Sequence, residues 1–139
     1  MKLFKILLIS VIITLSTSCN AQEKNNTVML NYTAQTRGFN YVLQLKNNVL
    51  EITKNSKTTT LELSKQQVIT IDTLISKIDF TKIESDFSKE KAAVDRVIPA
   101  VFILQHYKKQ YNYNFEHNNT PKTIQELLNM LSDFLILEE

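Results

Sequence analysis

Residues 28–45 read Val-Met-Leu-Asn-Tyr-Thr-Ala-Gln-Thr-Arg-Gly-Phe-Asn-Tyr-Val-Leu-Gln-Leu. Val28, Leu30, Tyr32 and Ala34 alternate with Met29, Asn31, Thr33 and Gln35, and after the break Phe39, Tyr41, Leu43 and Leu45 alternate with Asn40, Val42 and Gln44. Alternation with a period of two places each set on one face of a pleated strand. Gly38, the only glycine in the chain, sits between the two arms. Tight reversals need positive φ, which glycine reaches without a Cβ clash. The stretch therefore predicts a hairpin turning at Arg37-Gly38, with one apolar face that the rest of the chain must cover.

The following residues extend the pattern. Asn47-Asn48 and Asn55-Ser56 are turn pairs, because Asn tolerates the left-handed region. The strand between them faces inward with Leu50 and Ile52, and the β-branched run after them with Leu61 and Leu63. A four-strand antiparallel meander results. At Ser64 the period changes. Ser64 followed by Gln67 is a capping box, and Val68, Ile71, Leu74, Ile75 and Ile78 then recur at helical spacing, flanked by Ile69.

Beyond this helix, Phe80, Ile83 and Phe87 can each reach a core, while residues 85–91 read as a solvated charge run. Glu84, Asp86 and Glu90 lie close in sequence but lack the dense oxygen ligands and glycine turn of a calcium loop. Residues 97–107 form an apolar run in which Pro99, unable to donate to a ladder, marks the start of a strand. Val101 to Leu104 are apolar in succession, which predicts a central strand covered on both faces, turned by Lys108-Lys109. Tyr111, Tyr113, Phe115 and His117 then share a face. Thr120 is placed to cap a last helix with Pro121 in its first turn, and Ile124, Leu127, Leu128, Leu131 and Leu135 form its buried stripe, widened by Met130 and Phe134. The order ββββ-α-ββ-α predicts an α+β fold: an antiparallel sheet of about six strands with two helices on one face.

The 139 residues are one domain's worth of chain. Residues 1–19 read as a targeting segment: Lys2 and Lys5, then an apolar run too short to span a bilayer, then Ser16, Thr17, Ser18 and Cys19. A lone cysteine makes no internal disulfide and no thiolate cluster. Leu15-Ser16-Thr17-Ser18-Cys19 resembles a bacterial lipobox, with Ser16 where a large apolar residue is usual. That resemblance implies acylation of Cys19, cleavage before it, and stable anchoring through more than one acyl chain. The rival reading is an ordinary cut after Ala21, giving a soluble periplasmic or secreted protein. Residues 20–27 are a polar tether, and 28–139 are the folded domain. Position 20 is not Asp and no acidic run follows Cys19, so the outer membrane, facing the periplasm, is the expected site by elimination.

Sixteen Lys and Arg less Lys2 and Lys5 leave fourteen beyond the targeting segment, equal to the fourteen Asp and Glu there. A neutral chain of mixed charge lacks the clustered basic face that nucleic acid requires. One glycine builds neither a phosphate-cradling loop nor a Gly-x-Ser-x-Gly elbow. No cofactor motif is present. His106 and His117 are the only histidines, and zinc needs more ligands than Glu116 and His117, adjacent on a strand, can bring together.

At Tyr32-Thr33-Ala34-Gln35-Thr36-Arg37-Gly38-Phe39 the chain resembles a family of small lipoproteins from Bacteroidetes-type bacteria. The likeness continues at Asp95 and at Phe115-Glu116-His117 leading to Pro121. Glu116, Asn118 and Thr120 depart from the family's Phe-Asp-His-Gly-Asn-Pro-Pro. The resemblance implies this fold and an envelope location, and no established activity.

Arg37, Asp95, Glu116 and His117 are the candidate binding residues; none is expected to be catalytic. Arg37 and Asp95 are either solvated or paired, a bidentate pair being geometrically specific. The expected function is a non-catalytic binding or accessory module that meets an envelope protein or peptide. The alternative is a small ligand binder or hydrolase-like enzyme using Arg37, Asp95 and His117.

Overall fold

A computed structural model of the chain describes residues 28–84 and 97–136. The strands are β1 (Met29–Thr36), β2 (Phe39–Lys46), β3 (Val49–Lys54), β4 (Lys57–Glu62), β5 (Pro99–His106) and β6 (Lys109–Glu116). Helix α1 (Lys65–Lys77) lies between β4 and β5, and α2 (Lys122–Ile136) follows β6. All neighbouring strands are antiparallel, in the order β4-β3-β2-β1-β5-β6. This is the α+β arrangement that the alternation predicts, with β1 near the middle of the sheet.

The turns follow their residues. Gly38 has φ of +87°. Asn47 and Asn48 both lie at positive φ (52° and 64°), and Asn55 at 53°. Ser64 accepts from the Gln67 backbone N–H while the Gln67 side chain accepts from the Ser64 N–H, completing the capping box of α1.

The inner face carries rungs such as Ile52, Leu43, Tyr32, Phe102 and Tyr113, one from each of five neighbouring strands. Both helices close over this face: Ile71 and Ile75 of α1, and Ile124, Leu127, Leu128 and Leu131 of α2, join the sheet residues in one buried cluster. Phe80, in a 3₁₀ turn at Phe80–Lys82, seals the β6 side. It stacks on Tyr111, and its carbonyl accepts from the Tyr113 hydroxyl at 2.5 Å.

Three expectations need correction. Among the described residues the sheet is covered on one face only, so β5 is central without being doubly covered by them, and Val101 is 37% exposed on the open face. The apolar run of β5 arises because Val101 and Ile103 occupy that open face. The β5–β6 reversal falls at Tyr107-Lys108, one residue earlier than Lys108-Lys109, with Tyr107 at φ of 54°. Helix α2 begins at Lys122, and the Thr120 hydroxyl donates back to the His117 carbonyl at 2.9 Å.

Candidate functional site

His117 follows the last residue of β6 and turns into a 3₁₀ segment, His117–Asn119. Its backbone N–H donates to the Ile98 carbonyl at 2.8 Å. The ring is thereby held over the lower end of the inner face, where the alternation of β1 and β2 delivers aromatics. Phe39, Tyr32 and Tyr41 place their ring centroids 5.2, 5.9 and 6.0 Å from it. The Tyr32 hydroxyl lies 2.5 Å from Nδ1. Either the phenol donates to a bare Nδ1 or an Nδ1–H donates to the phenol oxygen, and both occupy that nitrogen.

Burial pushes the Tyr32 phenol pKa up and the His117 imidazole pKa down. Both shifts favour the neutral form, because a poorly hydrated site disfavours charge. A neutral imidazole packed on three rings, with one nitrogen spent, is built as a packing element. Beside it the Ser132 hydroxyl donates to the Leu128 carbonyl at 2.9 Å. Its single proton is then used, so the Tyr41 hydroxyl is the donor in the 3.3 Å Tyr41–Ser132 contact.

The other expected site residues do not converge on His117. Arg37 is exposed in the turn between β1 and β2. Glu116 is in phase with Asn112 and Asn114, on the uncovered face, so Glu116 and His117 lie on opposite sides of the sheet. Asp95 lies outside the described residues, as do Cys19, the targeting segment and the tether. Among the described residues, no three His, Cys, Asp or Glu side chains group as metal ligands. No helix among them is long and apolar enough to cross a membrane.

The sequence reading missed a second histidine contact. His106, the last residue of β5, holds Asp72 of α1 through Nε2 and Oδ1 at 2.7 Å, with side-chain exposures of 13% and 21%. The Tyr107 hydroxyl reaches the other carboxylate oxygen at 3.5 Å. This contact pins the middle of α1 to the end of the central sheet. Beside it a groove of about 440 Å³ runs between the β5–β6 turn and the end of α1, and its charges are of both signs: Asp79, Lys108 and Lys109. Asp79 is neutralised by Lys82 at 3.1 Å. No amphipathic or motif signal links positions 72 and 106. Only the path of α1 across the sheet brings them together.

Among the described residues, the face of the sheet opposite the helices has no element packed on it. One rung reads Thr58, Thr53, Val42, Thr33, Val101 and Asn114, and the next reads Thr60, Glu51, Gln44, Asn31, Ile103 and Asn112. It is a broad polar surface, mostly hydroxyls and amides with the Glu51 and Glu116 carboxylates among them, and it has a small apolar centre at Val42, Val101 and Ile103. Comparison with family models, with curated proteins and with solved structures finds no match to this chain.

Proposed function

We propose that the chain is an envelope lipoprotein whose folded domain is a non-catalytic binding module. In this reading Cys19 carries the lipid and residues 20–27 form the tether. The uncovered face of the sheet then meets an envelope protein or an extended peptide. The likeness to small Bacteroidetes-type lipoproteins at residues 32–39 supports the envelope placement, with the outer membrane, facing the periplasm, as the location.

The observation that carries the reading is the division of labour between the two faces. The middle of the inner face is packed, and its two histidines are committed: His117 to Tyr32, His106 to Asp72. The outer face spans six strands, and none of the described residues forms an element over it. A surface with an apolar centre and a polar, hydrogen-bonding surround is how protein interfaces are composed. A hydrolase-like reading needs Arg37 and His117 at one cleft, and the exposed turn and packed ring do not favour it.

The anchor is tested by fractionation. Cys19→Ala is expected to move the protein from the membrane to the soluble fraction, because lipid supplies the attachment. Retention after a high-salt wash contradicts the lipoprotein reading. Release of the unmutated chain as a soluble protein starting at Gln22 supports the cut after Ala21 instead.

A further inference from the structure

Lys54 and Lys57 are directly opposite each other across the β3–β4 hairpin. They are in phase with Ile52 and Leu61, so both sit on the inner face. The turn between them is held to Asn40 by three bonds, one of them from the Asn40 side-chain amide to the Asn55 carbonyl at 3.5 Å. The Asn55 N–H donates to the Asn40 carbonyl at 2.6 Å, and the Asn40 N–H donates to Asn55 Oδ1 at 3.2 Å. Like charges on one rung of a sheet repel. Among the described residues no carboxylate lies within salt-bridge distance of either amine. The Lys54 amine stands over the Tyr41 ring, 5.9 Å from its centroid.

Beneath the two amines, between the hairpin and the last turn of α2, lies a cleft of about 220 Å³. Its floor is Ile52, Leu135 and Ile136, and Ile136 is 69% exposed. Tyr41 and Ser132 line it too, but their hydroxyls are spent on each other and on Leu128. The cleft thus offers two positive charges at one end and an aliphatic surface at the other, and none of the described residues lining it is acidic.

We propose that this cleft binds a small amphiphilic carboxylate, its head between Lys54 and Lys57 and a short aliphatic body on Ile52, Leu135 and Ile136. The charge argument fixes the sign of the head, since an anion relieves the repulsion between the two amines. The volume fixes the length, because the cleft is smaller than the roughly 300–1,000 Å³ of sites for drug-sized ligands. The site lies on the opposite side of the sheet from the uncovered face, so it stands or falls independently of the proposed interface.

Octanoate, below its micelle threshold, is the probe, titrated into the purified full chain with labelled isoleucine and leucine methyls followed by NMR. Saturable shifts are expected at Ile52, Leu135 and Ile136. Octanol, with the tail alone, and acetate, with the charge alone, are expected to bind at least tenfold more weakly. The K54Q/K57Q variant is expected to lose at least tenfold in octanoate affinity while its melting temperature stays the same or rises. Lys57→Gln alone gives the same reading should the double variant fail to fold. The absence of saturable shifts at those three methyls overturns the proposal. So does octanol binding as tightly as octanoate, or an unchanged affinity in the lysine variants.

Discussion

The hydroxyl of Tyr32, a fully buried residue on the strand at the middle of the sheet, lies 2.5 Å from Nδ1 of His117, 85 residues further along the chain. This contact ties β1 to the segment that launches α2. Tyr32→Phe keeps the ring and removes the hydroxyl, leaving a half-buried imidazole nitrogen without its partner. The expected cost is about 1–3 kcal/mol, the usual penalty for orphaning a buried polar group. Urea unfolding of the two proteins measures it, and an equal midpoint and slope would show that the contact contributes nothing.

The same histidine sets a pH dependence. Burial holds its folded-state pKa below the unfolded value of about 6.5. The unfolded chain therefore binds the proton more readily, and acid favours unfolding. The contribution is complete above about pH 6.5 and is lost as pH falls below it, down to the depressed folded-state value. Unfolding free energy measured from pH 8 to 5 should drop for the unmutated chain by more than for His117→Gln. Parallel curves would mean that His117 protonates equally in both states.

A comparable bond anchors the connection after α1. Tyr113→Phe removes the donor to the Phe80 carbonyl, and that carbonyl belongs to a buried residue. A loss of about 1–3 kcal/mol is expected, as for other buried groups left unpaired. The loss should be accompanied by faster amide exchange in the Phe80–Lys82 turn. A variant as stable as the parent, with unchanged exchange, would show that ring stacking on Tyr111 suffices.

Gly38 separates backbone from packing effects. A Cβ built there meets nothing within 4 Å, so any cost of substitution comes from φ alone. Gly38→Val should cost on the order of 1–3 kcal/mol, and Gly38→Asn should cost less because Asn enters positive φ more readily. Equal costs in urea unfolding would contradict the conformational explanation.

Much of the fold was legible because it rests on local signals. The alternation in residues 28–45, three turn pairs, the Ser64–Gln67 box and the stripe from Ile124 to Leu131 each act within a few residues, and each appears where the pattern places it. The misreadings came from tertiary context. Val101 and Ile103 look like a doubly covered strand, yet an antiparallel sheet can leave apolar residues at the centre of an open face. The site was less legible. His117 was readable as the end of an aromatic face, but its Tyr32 partner, the His106–Asp72 contact and the facing Lys54–Lys57 pair depend on helix path and strand register. Arg37 and Glu116 are placed apart by the same register, which the spacing of residues in the chain does not reveal.

The central claim is that the uncovered face of the sheet is the binding surface, and site-specific photocrosslinking in cells that express the chain tests it most directly. A photoreactive residue is placed in turn at Val101 and Gln44, on the uncovered face, and at Thr73 and Gln125, on the exposed sides of the two helices. The account predicts one discrete protein adduct shared by positions 101 and 44 and absent from positions 73 and 125, and loss of that adduct when Asn31→Lys is added to the same face. Adducts confined to the helix positions, equal adducts at all four, or an adduct indifferent to Asn31→Lys would contradict it.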